Sequence, residues 1–345
     1  MARYDLTSGE VAALLAGEPA YRARQVWEGL YQHGTEPGAL TTLPRSLRER
    51  LAAEPALAPA LRLDAVVHAD GDETVKWRWA LQDGRMIETV LMHYPQRSTV
   101  CVSSQAGCAM ACGFCATGQA GFQRNLTAGE VVEQVVRAGT EARRHGRRLS
   151  NVVFMGMGEP MANYDRVWSA VERLHTDVGL SARHLTISTI GIVPGIRRLA
   201  EATLPVNLAV SLHAADDTLR DELVPANRRY PLAALMEACH AWVDAKGRRL
   251  SFEWALIAGV NDRPADAARL ADLARDVRAH VNLIPLNPTP GFSTRGTPPA
   301  GVRAFCDLLT SFGVNATVRH NRGTDIDAAC GQLAARAVAA ADGPD

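Results

Sequence analysis

Thr99-Val-Cys101-Val-Ser-Ser-Gln-Ala-Gly-Cys108-Ala-Met-Ala-Cys112-Gly-Phe-Cys115 reads as a strand, residues 99–104, running into a loop that carries three cysteines within eight residues. Beyond it, strand-like and helix-like segments alternate. The strands are expected at 151–155, 184–189, 206–212, 250–256, 281–286 and 316–318, and the helices near 127–144, 164–177, 195–203, 231–245, 263–277 and 299–312. Repeated strand-then-helix order implies a parallel sheet with right-handed crossovers. About six such units predict an α/β fold with a complete or partial (β/α)6-type barrel, whose chemistry lies at the C-terminal ends of the strands. The cysteine loop follows the first of those strands.

Upstream the pattern is different. Leu14 and Leu15, then Val26, Trp27, Leu30 and Tyr31, then Leu47 and Leu51 recur at helical spacing, which predicts a small helical domain over residues 1–60. Residues 61–95 alternate apolar and polar side chains around Ala69-Asp70-Gly71-Asp72 and Asp83-Gly84, the pattern of a short antiparallel β meander. The barrel domain is expected over 96–335, with a flexible tail at 336–345 that ends Asp-Gly-Pro-Asp.

Composition narrows the class. The chain has 345 residues, 47% of them apolar, with 37 Lys and Arg balancing 37 Asp and Glu. These values exclude collagen-like, coiled-coil and wholly disordered chains. Zero net charge speaks against a protein that coats nucleic acid by bulk electrostatics. Lys76 and Lys246 are the only lysines, a bias better explained by a GC-rich genome than by phosphate recognition. No apolar run approaches the roughly 18 residues of a membrane span, and the N-terminus lacks a signal-peptide layout. A cytoplasmic, membrane-free protein is therefore expected. In that reducing setting the 7 cysteines read as metal ligands, redox groups or core residues.

Cys108, Cys112 and Cys115 can ligate three irons of a cubane cluster and leave the fourth open to a small molecule. Zinc is the competing reading, but compact zinc sites favour a second cysteine pair or downstream histidines, and no second pair exists in the sequence. Cys239 and Cys306 fall at helical core spacing and are expected to be inert. Gly156-x-Gly158 is not a dinucleotide fingerprint, because the third glycine is missing and Glu159-Pro160 follows.

The C-x-x-x-C-x-x-C loop with Phe114 before its last cysteine resembles the signature of radical S-adenosylmethionine (SAM) enzymes. Further segments are similar to one branch, the radical SAM methyltransferases that modify adenine in large-subunit ribosomal RNA. They are Ile87-Glu88-Thr89-Val90, Cys101 to Cys108, Phe114-Cys115-Ala-Thr-Gly118, Gly156-Met-Gly-Glu159-Pro160, Ile187-Ser188-Thr189, Ser211-Leu212-His213, Asn282-Leu-Ile-Pro-Leu-Asn287-Pro and Arg322 through Cys330-Gly-Gln-Leu333. The resemblance spans residues 87–333, and Cys101 and Cys330 are what single out this branch.

The resemblance implies a radical SAM barrel with one [4Fe-4S] cluster on Cys108, Cys112 and Cys115 and two SAM molecules per turnover. It implies that Cys330 carries a methyl group as S-methylcysteine, that Cys101 resolves the covalent intermediate through a transient disulfide with Cys330, and that Glu88 is the proton acceptor. SAM is expected against Gly158, Glu159, Ser188, Ser211, Leu212, His213 and Asn287. His213 is equally readable as a structural histidine, and Glu88 as a solvated strand residue.

The implied product is C2-methyladenosine in 23S rRNA of the peptidyl-transferase region, and in the position beside the anticodon of tRNAs. Methylation of carbon 8 of the same rRNA base is the alternative, since the motifs are shared; a non-catalytic iron–sulfur or RNA-binding protein is a remote one. The implied partners are 23S rRNA, tRNA and an external flavodoxin- or ferredoxin-like electron donor, with the enzyme a monomer. For RNA binding, Tyr21-Arg-Ala-Arg24-Gln25-Val-Trp27 resembles the family's accessory RNA-binding region. Arg137, Arg143, Arg144, Arg147 and Arg148 form a basic run that reads more simply as a solvated helix end. Arg319, His320 and Arg322 approach the Cys330 motif.

Overall fold

The computed structural model describes residues 2–289, 291–319 and 322–334. His320 and the expected tail at 336–345 lie outside the described residues. Three short helices come first, α1 (Ser8–Leu14), α2 (Tyr21–Tyr31) and α3 (Arg45–Ala52). Thr7 and Glu10 close a capping box on α1, and Val11, Val26, Leu30, Leu47 and Leu51 are buried along the apolar faces.

A meander of β1 (Leu61–Ala69), β2 (Thr74–Leu81) and β3 (Met86–Tyr94) follows, antiparallel throughout. It does not stand apart from the barrel strands. β4 (Arg97–Cys101) pairs antiparallel with β3 on one side and parallel with a later strand on the other, so meander and barrel share one ten-stranded sheet.

The expected strand at 99–104 thus runs from 97 to 101. Its hydrogen bonding is prolonged by Val102 N–H to the Val153 carbonyl and Ser104 N–H to the Met157 carbonyl. β5 (Gln105–Gly107) then turns away to pair with β6 (Phe122–Asn125), and the cysteine loop with the one-turn helix α4 (Ala116–Gln119) bulges between them.

From there the chain alternates as expected: α5 (Ala128–Arg144), β7 (Leu149–Phe154), α6 (Tyr164–Thr176), β8 (Leu185–Thr189), α7 (Val193–Glu201) and β9 (Asn207–Ser211). After α8 (Asp217–Leu223) and α9 (Leu232–Lys246) come β10 (Ser251–Leu256), α10 (Pro264–Asp276), β11 (His280–Pro285), α11 (Pro299–Ser311) and β12 (Ala316–Val318). Pairings β4–β7–β8–β9–β10–β11–β12 are all parallel. The sheet runs from edge β1 to edge β12 without closing, antiparallel as far as β4 and parallel beyond it.

Besides the one-turn α4, which was not expected, two helices depart from the sequence expectation. α7 begins at Val193 rather than 195, because Pro194 supplies the fixed φ favoured in a first turn. α8 was not expected at all; Asp216 caps it by accepting from Leu219 N–H.

The N-terminal helices are seated on the outer helices of the barrel. Arg173 of α6 donates to the carbonyls of Tyr4, Leu6 and Asp5 and to the Tyr31 hydroxyl, while Asp5 accepts from Gly129 N–H at the start of α5. A Cβ on Gly129 would lie 2.6 Å from Asp5, so only glycine allows that approach. No helix among the described residues is long and apolar enough to cross a membrane.

Candidate active site

A cavity opens at the C-terminal ends of the parallel strands, where α/β folds place ligands. Its wall includes Cys108, Cys112 and Cys115 from the loop, Gly158 and Glu159 after β7, Ser188 on β8, Ser211 and His213 at the end of β9, Asn287 after β11, and Cys330. Leu212 does not line it. Its side chain is fully buried in the core, which leaves only its backbone to serve a ligand.

The loop that carries the cysteines is pinned locally. Cys108 N–H donates to the Gly121 carbonyl and Cys115 N–H to the Cys112 carbonyl, and a Cβ on Gly118 would come within 3.0 Å of the Cys112 backbone. Burial pushes the Cys108 thiol up to about 12 and the Cys112 thiol higher still, each also opposed by its neighbouring cysteines. Metal ligation by these thiols would have to displace their protons.

Among the described residues no three His, Cys, Asp or Glu side chains converge as ligands of one ion. A single zinc would need that convergence, whereas in a cubane each thiolate takes its own iron. The donor set, three thiols of one loop on the cavity wall with the fourth cysteine there, Cys330, coming from a separate loop, fits a cluster that takes three protein ligands and leaves one iron open.

Glu159 shows why the Gly-x-Gly-Glu stretch has its composition. Gly158 adopts φ 96°, and a Cβ there would sit 2.5 Å from the Gln105 side chain, while one on Gly156 would sit 2.6 Å from the Val102 carbonyl. The chain turns tightly against the β4–β5 connection, and Gln105 accepts from Glu159 N–H. The Glu159 carboxylate accepts from Met161 and Ile190 N–H, each at 2.9 Å. Burial nevertheless raises its pKa to about 7, so a cation arriving in the cavity would meet a group poised to ionise.

His213 lines the cavity and is also tied into the backbone around it. Its Nδ1 accepts from Ala255 N–H, its carbonyl accepts from Asn261, and its ring meets Phe114 edge-on at 4.8 Å. Burial lowers its pKa to about 3, and the ring is neutral. It buttresses the cysteine loop from beneath.

Cys330 arrives in a loop fastened to the same constellation. Asn287 donates to the Cys330 carbonyl at 3.0 Å, Ala116 N–H to the Gly331 carbonyl at 2.8 Å, and the Thr117 hydroxyl to the Leu333 carbonyl. A smaller cleft lies behind it, lined by Cys101, Met155, Arg319, Arg322 and Cys330. Cys330 and Arg319 border both spaces. The Cys330 charge is the largest influence holding Arg319 protonated. Burial raises the Cys101 thiol to about 12, and Cys330 adds to the effect.

Glu88, on β3, borders neither space. It is buried with Lys76 at 3.4 Å and accepts from Ala334 N–H at 3.0 Å. The solvated reading of Glu88 is thereby corrected, because packing of residues 327–334 over the meander covers it. Cys239 is fully buried on α9, while Cys306 on α11 is only half-buried, its thiol turned to the Ala316 carbonyl.

Several contributors had no sequence pattern to mark them. Arg220 on α8 is fully buried and donates to the carbonyls of Leu212 and Ile190 and to Asn227, tying the ends of β8 and β9 together beneath the cavity. Asn261 bridges the His213 and Ala255 carbonyls. The one available clue was for Lys76, as one of two lysines in the chain.

The basic run is largely occupied by tertiary contacts. Arg137 pairs with Glu133, Arg143 donates to the His33 carbonyl, Arg144 pairs with Glu141, and Arg147 is bidentate to Glu73. On α2, by contrast, Tyr21 is half exposed beneath the Arg22 guanidinium, and Arg24 is exposed.

Residues 102–271 match the radical SAM superfamily model. Proteins called "Probable dual-specificity RNA methyltransferase RlmN" from Chloroflexus aurantiacus and Moorella thermoacetica are each 51% identical to the chain, which covers 92% and 94% of their lengths, over 96% and 94% of its own. The crystal structure of a radical SAM methyltransferase from Sphaerobacter thermophilus superposes with a TM-score of 0.93 at 50% identity, over 97% of this chain and all of that one. With the cysteine loop at the mouth of a parallel α/β sheet and relatives alike along nearly their whole length, the chain belongs to the radical SAM dual-specificity RNA methyltransferase family.

Proposed function

We propose that this chain methylates carbon 2 of an adenosine in 23S rRNA, and of the adenosine beside the anticodon of tRNAs, through a methyl group carried on Cys330. The observation behind the proposal is the place of Cys330, on the border between the three-cysteine cavity and the cleft that holds Cys101. One thiol there can serve both the cofactor side and the resolving side. The family name of its relatives supports carbon 2 over carbon 8.

Cys108, Cys112 and Cys115 would hold the [4Fe-4S] cluster, and Gly158, Glu159, Ser188, Ser211, the Leu212 backbone, His213 and Asn287 would surround SAM, two molecules being used per turnover. When bound, these cofactors supply the methyl group and the hydrogen-abstracting power that an electron-poor aryl carbon requires. The protein's own residues do the rest. Cys330, held in its loop by Asn287, accepts the methyl on sulfur.

Once the carbon is joined to adenine, the odd-electron adduct would return one electron to the bound cluster, the equivalent that SAM cleavage consumed, while Glu88 takes the ring proton and the C–H electron pair restores the ring. Cys101, which rests as a thiol and gives up its proton as it reacts, then attacks the Cys330 sulfur. The S–S bond forms, the C–S pair leaves with carbon, and that carbon takes a proton to become the methyl group. A two-electron external reductant must reopen the disulfide, and a flavodoxin- or ferredoxin-like donor supplies the electrons for SAM cleavage. Residues 1–60 serve as an accessory RNA-binding domain through the exposed face of α2, residues 61–95 connect it to the barrel domain, and the enzyme works as a cytoplasmic monomer. The target adenine reaches the cavity by being splayed from its stack.

Anaerobic reconstitution with SAM and a reductant is expected to yield 5′-deoxyadenosine and a methyl group on Cys330, and digested RNA should contain 2-methyladenosine by mass spectrometry. Cys330→Ala should lose the protein-borne methyl and all RNA product. Absence of both products with an intact cluster overturns the proposal, and 8-methyladenosine would reassign the carbon.

A further inference from the structure

The Lys76–Glu88 pair joins parts of the chain that the proposed reaction uses separately. Both side chains are buried, at 8% and 4% exposure, with Nζ 3.4 Å from Oε1. They sit on adjacent strands, since Lys76 is opposite Val90, two residues from Glu88, in the β2–β3 register. The same ammonium lies 3.4 Å from the Asp327 carbonyl, and the other oxygen of Glu88 accepts from Ala334 N–H at 3.0 Å. One ion pair in the sheet therefore fastens the segment on both sides of Cys330, three residues before it and four after.

A carboxylate in such a place is costly unless it is paired. An ammonium suits the position because it is compact and presents three donors in any direction, while a guanidinium is a flat fork. This chain uses arginine for nearly every other cation.

We propose that Lys76 is a positioning residue for the transfer step: it fixes the Glu88 carboxylate in place to accept the ring proton, and it holds the Cys330 loop in register with the sheet through Asp327. The inference rests on the role of Glu88 set out above. The step it supports moves one proton from the ring carbon to a Glu88 oxygen, and Glu88 itself exchanges no electron. Removing the ammonium takes away the contact that fixes one Glu88 oxygen and the tether to Asp327, so the carboxylate is no longer held where it can receive the proton.

The test compares Lys76→Met, Lys76→Arg and Glu88→Gln in the full-length reconstituted enzyme. With Lys76→Met, methylation of Cys330 should persist while methylated RNA forms roughly 100-fold more slowly, the scale of a lost general base, and a covalent enzyme–RNA adduct should accumulate. Lys76→Arg, which keeps the charge, should recover part of that loss. Without cofactors, Cys330 of Lys76→Met should react with iodoacetamide faster than in the native protein, because its loop has lost a tether.

Equal loss of Cys330 methylation and RNA methylation in Lys76→Met would reduce the residue to a structural one and overturn the proposal. So would adduct accumulation in Glu88→Gln but not in Lys76→Met, or an unchanged alkylation rate. If Glu88→Gln itself forms no adduct yet still methylates RNA, the role of Glu88 as base fails, and this inference fails with it for that separate reason.

Discussion

His213 shows what a single residue contributes when its ring is used for support. Buried and bonded through Nδ1 to Ala255 N–H, it is held neutral with a pKa near 3, against an ordinary value of 6.5. As pH falls through 6.5 the unfolded chain binds a proton that the folded chain refuses, so stability present above pH 6.5 is lost progressively toward pH 3. Thermal unfolding of the ligand-free protein should therefore lose midpoint less steeply between pH 6.5 and 4 in His213→Asn than in the native chain. An equal slope in both would show that other groups set the acid limit. Its role was open in the sequence because a histidine at a strand end looks the same whether it binds a ligand or accepts from a backbone amide. The amide that its Nδ1 meets, on Ala255, lies 42 residues away.

At the scale of elements, local chemistry and tertiary packing divide the work. Thr127 and Glu130 form a reciprocal capping box on α5, with Glu130 N–H to the Thr127 hydroxyl at 3.1 Å and Thr127 N–H to the Glu130 carboxylate at 2.9 Å. Glu130 also receives a bidentate Arg124 from β6. Thr127→Ala should lower stability by about 1 kcal/mol, read as a shift in denaturation midpoint, and leave SAM binding unchanged because α5 lies outside the cavity wall.

The strands and most helices past residue 95 were legible for this same reason, since apolar periodicity and flanking turn residues act within a few residues of one another. α8 was not legible. Its seven residues, Asp217–Leu223, are mostly polar, and what holds it is Arg220, buried and bonded to carbonyls of other elements. A side chain that the sequence marks as solvent-facing is an internal strut there.

Across the whole molecule, Arg173 is one of the fasteners between the N-terminal helices and the barrel, beside Asp5 with Gly129 and Arg143 with His33. Its guanidinium meets the Leu6 carbonyl at 2.9 Å, the Asp5 carbonyl at 3.2 Å and the Tyr31 hydroxyl at 3.1 Å. Arg173→Met leaves those carbonyls without their charged donor, at about 2 kcal/mol. If residues 1–60 bind RNA as proposed, affinity for a tRNA anticodon stem-loop, measured by fluorescence anisotropy, should fall roughly tenfold, equivalent to about 1.4 kcal/mol. SAM affinity by calorimetry should be unaffected. Loss of both together would mean that the helices support the barrel instead of the RNA.

By itself the sequence determined the parallel strand-and-helix order, the cysteine loop at a strand end and the family, because periodicity and motif spacing are local properties. Only the tertiary structure decided which groups meet: Lys76 with the Asp327 carbonyl across 251 residues, Glu88 with Ala334 N–H across 246, and Asn287 with the Cys330 carbonyl across 43. Such contacts form when the sheet brings distant strands and the Cys330 loop together. Burial then sets their strength, by removing the water that would otherwise satisfy each group alone.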